Sequence, residues 1–287
     1  MEYHIPLRAV SYNLLLGGLD GGNDDRLRTQ TAILAGLNAD IVALQECSGW
    51  DQHEERHLWR VAHELGMMPV SMVRSHVGDG SGHTTLLYRP SSLRLIGRRT
   101  LGQGVFHHAL IRARFRPIAA GNDPSSDFLT FATHFSWVDG ESRLREARWM
   151  TDNGGDFPGV PPRAILLGDL NTPDREPPDW SLVPRNLQSR YRLVLDDGGF
   201  GPTDQRAVRV LLNSGWQDPQ THTGILRGAT VGYYYDNEPV EWCIDYGLLS
   251  GMKATSYTTY DTAKAREVAD HLPLVLDVML DMMAGAH

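Results

Sequence analysis

Short apolar runs alternate along the chain with longer stretches in which apolar residues recur every three or four positions. The short runs are rich in aliphatic residues and are bounded by turn-forming residues, a pattern typical of buried strands. They predict strands over residues 8–15, 40–46, 83–88, 93–101, 107–115, 128–132, 164–167, 242–249 and 274–280. The periodic stretches predict helices over residues 26–38, 53–65, 141–151 and 203–214.

The middle of the chain is predicted to form an antiparallel meander. Its strands at 83–88, 93–101 and 107–115 are separated only by short segments of turn-forming residues. In the last of them Ala, Ile and Phe alternate with Arg112, Arg114 and Arg116, which indicates one buried and one basic face. We interpret this basic row as a solvated or helix-contacting face rather than a substrate site.

Polar side chains on the predicted helices are interpreted as surface groups. This interpretation covers His53, His57 and His63 on the second helix, and Arg143, Arg145 and Arg148 on the third. For the three arginines, contact with the substrate is the second interpretation. Two long segments, 172–202 and 224–241, lack periodicity and are predicted to be loops. The first is expected to shape the substrate site. The second contains Tyr233, Tyr234 and Tyr235, which either pack together or stack on a ring of the substrate.

Composition is that of an ordinary globular protein, with 41% hydrophobic and 22% charged residues among 287. No composition break marks a boundary, so we expect a single domain over residues 1–287. There is no apolar run of about 18 residues that could span a membrane, and the first residues do not resemble a secretory signal. A cytoplasmic location is therefore expected. Cys47 and Cys243 are too few for a disulfide framework and are interpreted as reduced packing thiols.

The formal net charge of −8 weighs against a protein that grips long stretches of duplex nucleic acid.

The segment 163–172 carries the first candidate chemistry. Its apolar strand ends at Gly168, and Asp169 and Asn171 follow with one residue between them. Gly-Asp-x-Asn is by itself an ordinary turn sequence. A carboxylate beside an amide at the end of a buried strand also suits a hard divalent cation and a water next to it.

Similar strand-end polar residues recur elsewhere, namely Asn13, Glu46, His134, Asp245, Asp270 and His271. Each has an ordinary interpretation, because buried asparagines are usually just hydrogen-bonded and lone histidines are usually core residues. An unpaired carboxylate such as Glu46 is costly to bury, so it either reaches solvent or meets a cation, and the other motifs favour the cation. A carboxylate near His271 would fix its tautomer and raise its basicity. No Gly-x-Ser-x-Gly motif accompanies them, so a serine-hydrolase triad is not indicated.

Taken in order, these motifs resemble the endonuclease/exonuclease/phosphatase superfamily, the DNase-I-like metallophosphoesterases. The resemblance runs over residues 13–273 and rests on Ser-Tyr-Asn13, Leu-Gln-Glu46, Thr-His134, Gly-Asp169-Leu-Asn171, Ile-Asp245-Tyr and Asp270-His271-Leu-Pro. It implies an α/β fold, a four-layer α/β sandwich in which two mixed β-sheets pack face to face with helices outside.

The resemblance also implies a role for each residue. Glu46, with Asn13 nearby and Asp270 on the same side, would bind Mg²⁺ or Mn²⁺. Asp169 and Asn171 would position and activate the attacking water. His134 would contact the phosphoryl oxygens, and Asp245 would orient His271, which would stabilise the transition state.

Two departures from the nucleases of this group shift the expected substrate toward a small phosphorylated molecule. The chain lacks their basic DNA-binding arms, and the loops after Glu46 and around 77–80 are short. The alternatives are a nuclease acting on DNA or RNA, or a phospholipid-directed phosphodiesterase of the same fold. A non-catalytic binding module is a third hypothesis, disfavoured because such a protein has no physical need to keep several carboxylates together.

Overall fold

The computed structural model describes residues 2–75, 77 and 80–283. Two mixed sheets pack face to face, and helices cover their outer faces, which makes a four-layer α/β sandwich. The strands are β1 (Glu2–Asn13), β2 (Ile41–Gln45), β3 (Met68–Val73), β4 (Thr84–Tyr88), β5 (Leu93–Leu101), β6 (Ala109–Pro117), β7 (Phe128–His134), β8 (Ala164–Asp169), β9 (Arg192–Val194), β10 (Phe200–Thr203), β11 (Asp245–Ser250), β12 (Lys253–Thr259) and β13 (Leu274–Met283). The helices are α1 (Asp25–Leu37), α2 (Arg56–Glu64), α3 (Gly140–Arg148), α4 (Gln188–Tyr191), α5 (Arg206–Asn213), α6 (Gln220–Thr223) and α7 (Ala263–Val268).

The first sheet has the strand order β12-β13-β1-β2-β4-β3, and the second has the order β11-β8-β7-β6-β5. Each contains one parallel pair, β1 with β2 and β7 with β8. Of these, β2, β7 and β8 are buried on both faces, which explains why they appear in the sequence as continuous apolar runs rather than alternating ones.

Three apolar layers hold the sandwich together. Side chains of both sheets, among them Ala9, Ile111 and Ile165, form the layer between them. A second layer lies under α1 and α2 on the first sheet. A third lies under α3 and α5 on the second sheet. None of the helices described is long and apolar enough to cross a membrane.

The predicted meander is wrong in one respect. β4 pairs with β2 and β3 in the first sheet, whereas β5 and β6 pair in the second. The turn at residues 89–92 therefore carries the chain from one sheet to the other. Turn-forming residues mark the change of direction, but they do not specify which strand comes to lie beside the next.

Two interpretations of helix side chains are also wrong. His57 and Arg143 are buried rather than on the surface. Arg143 is stabilised there because it donates to the carbonyl oxygens of Ser136 and Arg190. The segment 172–202 is not a featureless loop, since it contains α4 and β9 and begins β10. Of the short loop at 77–80, residues 78 and 79 lie outside the described part of the chain.

Candidate active site

The strand ends of the two sheets meet at one edge of the sandwich. β1 ends at Asn13 and Glu46 follows β2 directly, while β7 and β8 end side by side at His134 and Asp169. Strands β11 and β13 run antiparallel to their neighbours, so they begin at this same edge. Their starts bring in Asp245, which pairs with Asp169 in the register, and the segment that contains Asp270 and His271.

Asp169 lies at the centre of the cluster. Its Oδ2 accepts a hydrogen bond from Asn13 Nδ2 at 3.2 Å and lies 3.4 Å from His134 Nε2 and 3.7 Å from His271 Nε2. Its Oδ1 accepts from the backbone N–H of Asn171 at 2.8 Å. Burial alone would raise the pKa of Asp169, but the two histidines outweigh burial and lower it. The carboxylate is therefore ionised at neutral pH.

Asp245 and His271 form a buried pair. His271 Nδ1 lies 2.8 Å from Asp245 Oδ2, which leaves its Nε2 facing the centre of the cluster. Burial lowers the pKa of His271, but Asp245 and Asp169 on its two sides outweigh burial and raise the pKa well above its usual range. The imidazole is thus held in one orientation and favoured in its charged form.

His134 is stacked on a second histidine. Its ring lies 4.0 Å from that of His108, at 17° between the ring planes. Burial lowers the pKa of His134, but the hydrogen bond and charge of Asp169 raise it. Burial and the neighbouring His134 lower the pKa of His108 strongly. His108 is therefore the neutral member of the stack. It fits against Gly82, where a Cβ atom would lie 2.8 Å from the ring.

Glu46 and Asp270 form an acidic side of the cluster. Glu46 Oε1 accepts from Asn13 Nδ2 at 3.2 Å, and Oε2 accepts from the backbone N–H of Leu16 at 3.1 Å. Asp270 Oδ1 is buried without a hydrogen-bond partner. Burial and the charges of Glu46 and Asp169 raise the pKa of Asp270 to about 6. Carboxylates that repel each other around an unpartnered oxygen fit a bound divalent cation.

A second set of residues also places its ligand atoms close enough together to hold a cation. Ligand atoms of Asp169, Asp245 and His271 all lie within 4.8 Å of one another. However, His271 Nδ1 and Asp245 Oδ2 already bind each other, and Asp169 contacts two histidines. The Glu46 side, where Asp270 Oδ1 lacks a partner, therefore fits a cation better.

The backbone is strained at the same edge. Glu46 and Asn171 have φ of 54° and 48°, and Leu15 and Leu16 both have φ of 53°. A residue other than Gly in this region costs about 1–2 kcal/mol, and such residues concentrate at functional sites. Leu15 and Leu16 present backbone N–H groups to Asn13 Oδ1 and Glu46 Oε2. The strained backbone at Leu15 and Leu16 thus directs two N–H donors toward Asn13 and Glu46.

A sequence profile described as the Endonuclease/Exonuclease/phosphatase family matches residues 10–271 of the chain. The chain belongs to the endonuclease/exonuclease/phosphatase family. The match includes all the clustered residues described above. None of the curated proteins matches the chain.

Solved structures of the endonuclease/exonuclease/phosphatase family have the same fold. A family protein from Bacteroides thetaiotaomicron has a TM-score of 0.66 at 17% identity and covers 100% of this chain and 99% of its own. A mannosyl-6-phosphatase from Bacteroides thetaiotaomicron has a TM-score of 0.63 at 17% identity, covering 95% and 99%. ANGEL2, a 2′,3′-cyclic phosphatase solved with adenosine-2′,3′-vanadate, has a TM-score of 0.65 at 14% identity, covering 96% of each chain. The fold is therefore that of the phosphoesterases in this family.

All the site residues that the sequence predicts for this family member lie at this one edge of the sandwich. Sequence reasoning missed the supports behind them. Glu146 on α3 accepts the backbone N–H of His107 at 2.5 Å and that of Ser136 at 2.8 Å. It thereby ties together the strand ends that carry His108 and His134. A glutamate inside a charged helix gives no sequence signal of such a role, because the role depends on which strands the helix covers.

Proposed function

We propose that the protein is a hydrolase of small phosphoesters that uses a bound divalent cation, Mg²⁺ or Mn²⁺, and an in-line water. The observation that carries this proposal is the cluster around Asp169, where an ionised carboxylate and two imidazoles with raised pKa lie beside the acidic Glu46 side. Phosphoryl transfer needs a positioned water and donors for the charge that develops on the phosphoryl oxygens.

The residues that would hold the cation are Glu46 and Asp270, with the amide of Asn13 beside them. Asn13 Nδ2 donates to both Glu46 and Asp169, so it fixes the metal side relative to the water side. When bound, the cation would supply Lewis-acid stabilisation of phosphoryl charge.

Asp169 and Asn171 would position the water. Asn171 Nδ2 donates to the carbonyl oxygen of Phe135 at 3.0 Å, which fixes the plane of the amide and directs its oxygen. Asp169, ionised because of the histidines, would accept a proton of the water and orient it for attack.

His134 and His271 would donate to the phosphoryl oxygens. Each approaches the centre of the site through Nε2, and each has its pKa raised by Asp169. Asp245 would keep His271 charged and in one orientation while the phosphoryl charge develops.

A small substrate is supported by the space beside the cluster. A cavity of ≈ 370 Å³ is lined by Glu46, Asn171, Asp270 and His271 at its catalytic end. This volume is in the range of small-molecule pockets. Two of the similar solved structures are described as a mannosyl-6-phosphatase and a 2′,3′-cyclic phosphatase. The cytoplasmic location stays a prediction from sequence.

The test is a screen of phosphorylated metabolites with metal present. We expect turnover of at least one small phosphoester, abolished by EDTA and restored by Mg²⁺ or Mn²⁺. Asp169→Asn should lower kcat by about 10²–10⁴-fold, as expected on loss of a general base. Asp281→Asn is the matched control, because Asp281 is an exposed carboxylate on β13 far along the strand from the site. Activity that survives both EDTA and Asp169→Asn would overturn the proposal.

A further inference from the structure

The cavity beside the catalytic cluster has walls that the proposed hydrolysis does not use. Tyr191 and the buried Trp242 line it, and so do more exposed aromatic side chains from two separate stretches, Trp137 just after β7 and Tyr234 with Tyr235 between α6 and β11. Trp137, Tyr234 and Tyr235 are 44%, 38% and 43% exposed, respectively. Large rings exposed inside a concave site are costly in water, and such surfaces mark binding sites.

One guanidinium lies over a ring of this aromatic surface. Arg190 lies with its guanidinium carbon 4.7 Å from the centre of the Trp137 ring. Of the described residues that line the cavity, it is the only Lys or Arg. The guanidinium covers one face of the ring, and both groups line the cavity, so a third flat group can stack on the other flat surface of either.

The pair is braced from behind. Arg143 of α3 donates to the carbonyl oxygens of both Ser136 and Arg190, at 3.3 and 2.6 Å. Glu146 of the same helix accepts the N–H of Ser136. These buried contacts fix the chain on each side of the Arg190–Trp137 stack, so the surface is formed before a ligand arrives.

The aromatic wall continues to the catalytic end of the cavity. Burial raises the pKa of Tyr235 to about 12, with contributions from the nearby carboxylates of Asp270 and Glu46. Tyr235 also lines the same cavity as Glu46 and Asp270 of the metal side. A phosphoester bound at the cluster would extend its alcohol part along this wall.

We propose that this alcohol part carries a planar aromatic ring, as in a nucleoside phosphate, and that Trp137 and Arg190 are its specificity-determining residues. The inference rests on the proposed phosphoester hydrolysis for the position of the phosphoryl group. A bare sugar needs many hydrogen-bond partners, whereas the remaining walls are mostly apolar: Val183, Val231, Val240, Trp242 and Ile244 lie there beside Tyr191, Gly232 and one carboxylate, Glu238. A flat ring instead uses both the π face and the cation, and such stacking is tolerant of which base is present.

The experiment compares adenosine 5′-monophosphate with ribose 5-phosphate. Both carry the same phosphate on the same primary carbon, and only the first has a ring system at the far end. Binding is measured by calorimetry with EDTA present, and turnover is measured separately with Mg²⁺. We expect the nucleotide to bind and react about tenfold or more better, mainly through Kd and KM. Trp137→Ala should remove most of this preference and leave the affinity for ribose 5-phosphate unchanged. Trp137→Phe should retain much of the preference.

Trp59→Ala is the control, because Trp59 is similarly exposed, at 50%, but lies on α2 and does not line the cavity. This substitution should change neither the binding nor the turnover of either ligand. Equal affinities for the two ligands, including no measurable binding of either, would overturn the proposal. A loss of affinity in Trp137→Ala that is the same for both ligands would overturn it as well. A Trp137-dependent binding preference without turnover of either compound would support the ring site and contradict the hydrolase. Turnover without the preference would do the reverse.

Discussion

Glu46 adopts a backbone conformation that few residues other than Gly adopt, with φ of 54°. Its two carboxylate oxygens accept from Asn13 and from the N–H of Leu16. Glu46→Gln keeps the size but removes the charge that would bind the cation. We expect metal-dependent turnover to fall by about 10²–10³-fold, the loss typical of removing one electrostatic stabiliser.

The measurement is turnover against Mg²⁺ concentration, together with the melting temperature, which should change little. Glu64→Gln is the control, because Glu64 is an exposed carboxylate at the end of α2. Full activity of Glu46→Gln at low Mg²⁺ would reject Glu46 as a metal ligand.

Asp245 and His271 are predicted to work as one unit. If Asp245 serves to hold and charge the imidazole, then removing either should cost nearly what removing both costs, since parts of one device are not additive. We expect Asp245→Asn and His271→Ala each to lower kcat by about 10²–10⁴-fold. The double variant should be scarcely worse than the worse single variant.

Turnover and melting temperature are measured for the three variants. Additive losses of turnover would reject the unit, and so would a fall in melting temperature large enough to account for the lost activity. The buried Asp245 Oδ1, which lacks a hydrogen-bond partner, makes the stability measurement necessary.

Sequence could predict residues such as Asp169 because a polar side chain that ends an apolar run stands out. It could not predict His108, whose neighbour His134 is distant in the chain. The two rings stack only because β6 and β7 pair with Ala109 opposite His134. A contact of this kind depends on register, which a single sequence does not specify.

At the scale of elements, the close pairing of β7 with β8 places the central carboxylate. Gly168 pairs with Thr133, and a Cβ atom at Gly168 would overlap the backbone carbonyl of Thr133. Gly168→Ala should therefore push the two strand ends apart and displace both His134 and Asp169. We expect a loss of about 1–3 kcal/mol in the free energy of unfolding, as for other overpacked sites, and a lower kcat.

The matched control is Gly36→Ala. Gly36 lies in α1 with nothing within 4 Å of its would-be Cβ, so alanine should leave stability unchanged or raise it by up to about 1 kcal/mol. Chemical denaturation of both variants gives the two free energies. A Gly168→Ala protein as stable and active as the parent would show that the strand ends tolerate the added methyl group.

Strands with two covered faces could be predicted from sequence, and so could the edge strands β5 and β11, but the other edge strands could not. β2 and β8 were predicted because their apolar runs are continuous. β12, which forms an edge of the first sheet, alternates polar and apolar residues and was missed. The short strands β9 and β10 pair only with each other and carry no long pattern. The order of strands within each sheet could likewise not be predicted from the apolar pattern, as the position of β4 illustrates.

At the scale of the whole molecule, the net charge of the protein argues against tight binding to duplex DNA. The formal net charge is −8, and binding to duplex depends on releasing counterions from neutralised phosphates. One basic cleft is a place where such binding could occur. It contains Arg99 and Arg112, which lie opposite each other on β5 and β6. Burial and the charges of Arg99 and Arg114 lower the pKa of Arg112.

We therefore expect a Kd for duplex DNA of about 10⁻⁴ M or weaker at physiological salt, the weak end of non-specific binding. Filter binding of a short duplex over a range of salt concentrations measures both affinity and the number of phosphates contacted, since each contact adds about 0.9 to the slope of log K against log salt. Arg112→Ala should then lower the residual binding and reduce that slope by about one unit. Binding that is tight and insensitive to Arg112→Ala would place a nucleic-acid surface elsewhere on the protein and favour a nuclease over a hydrolase of small phosphoesters.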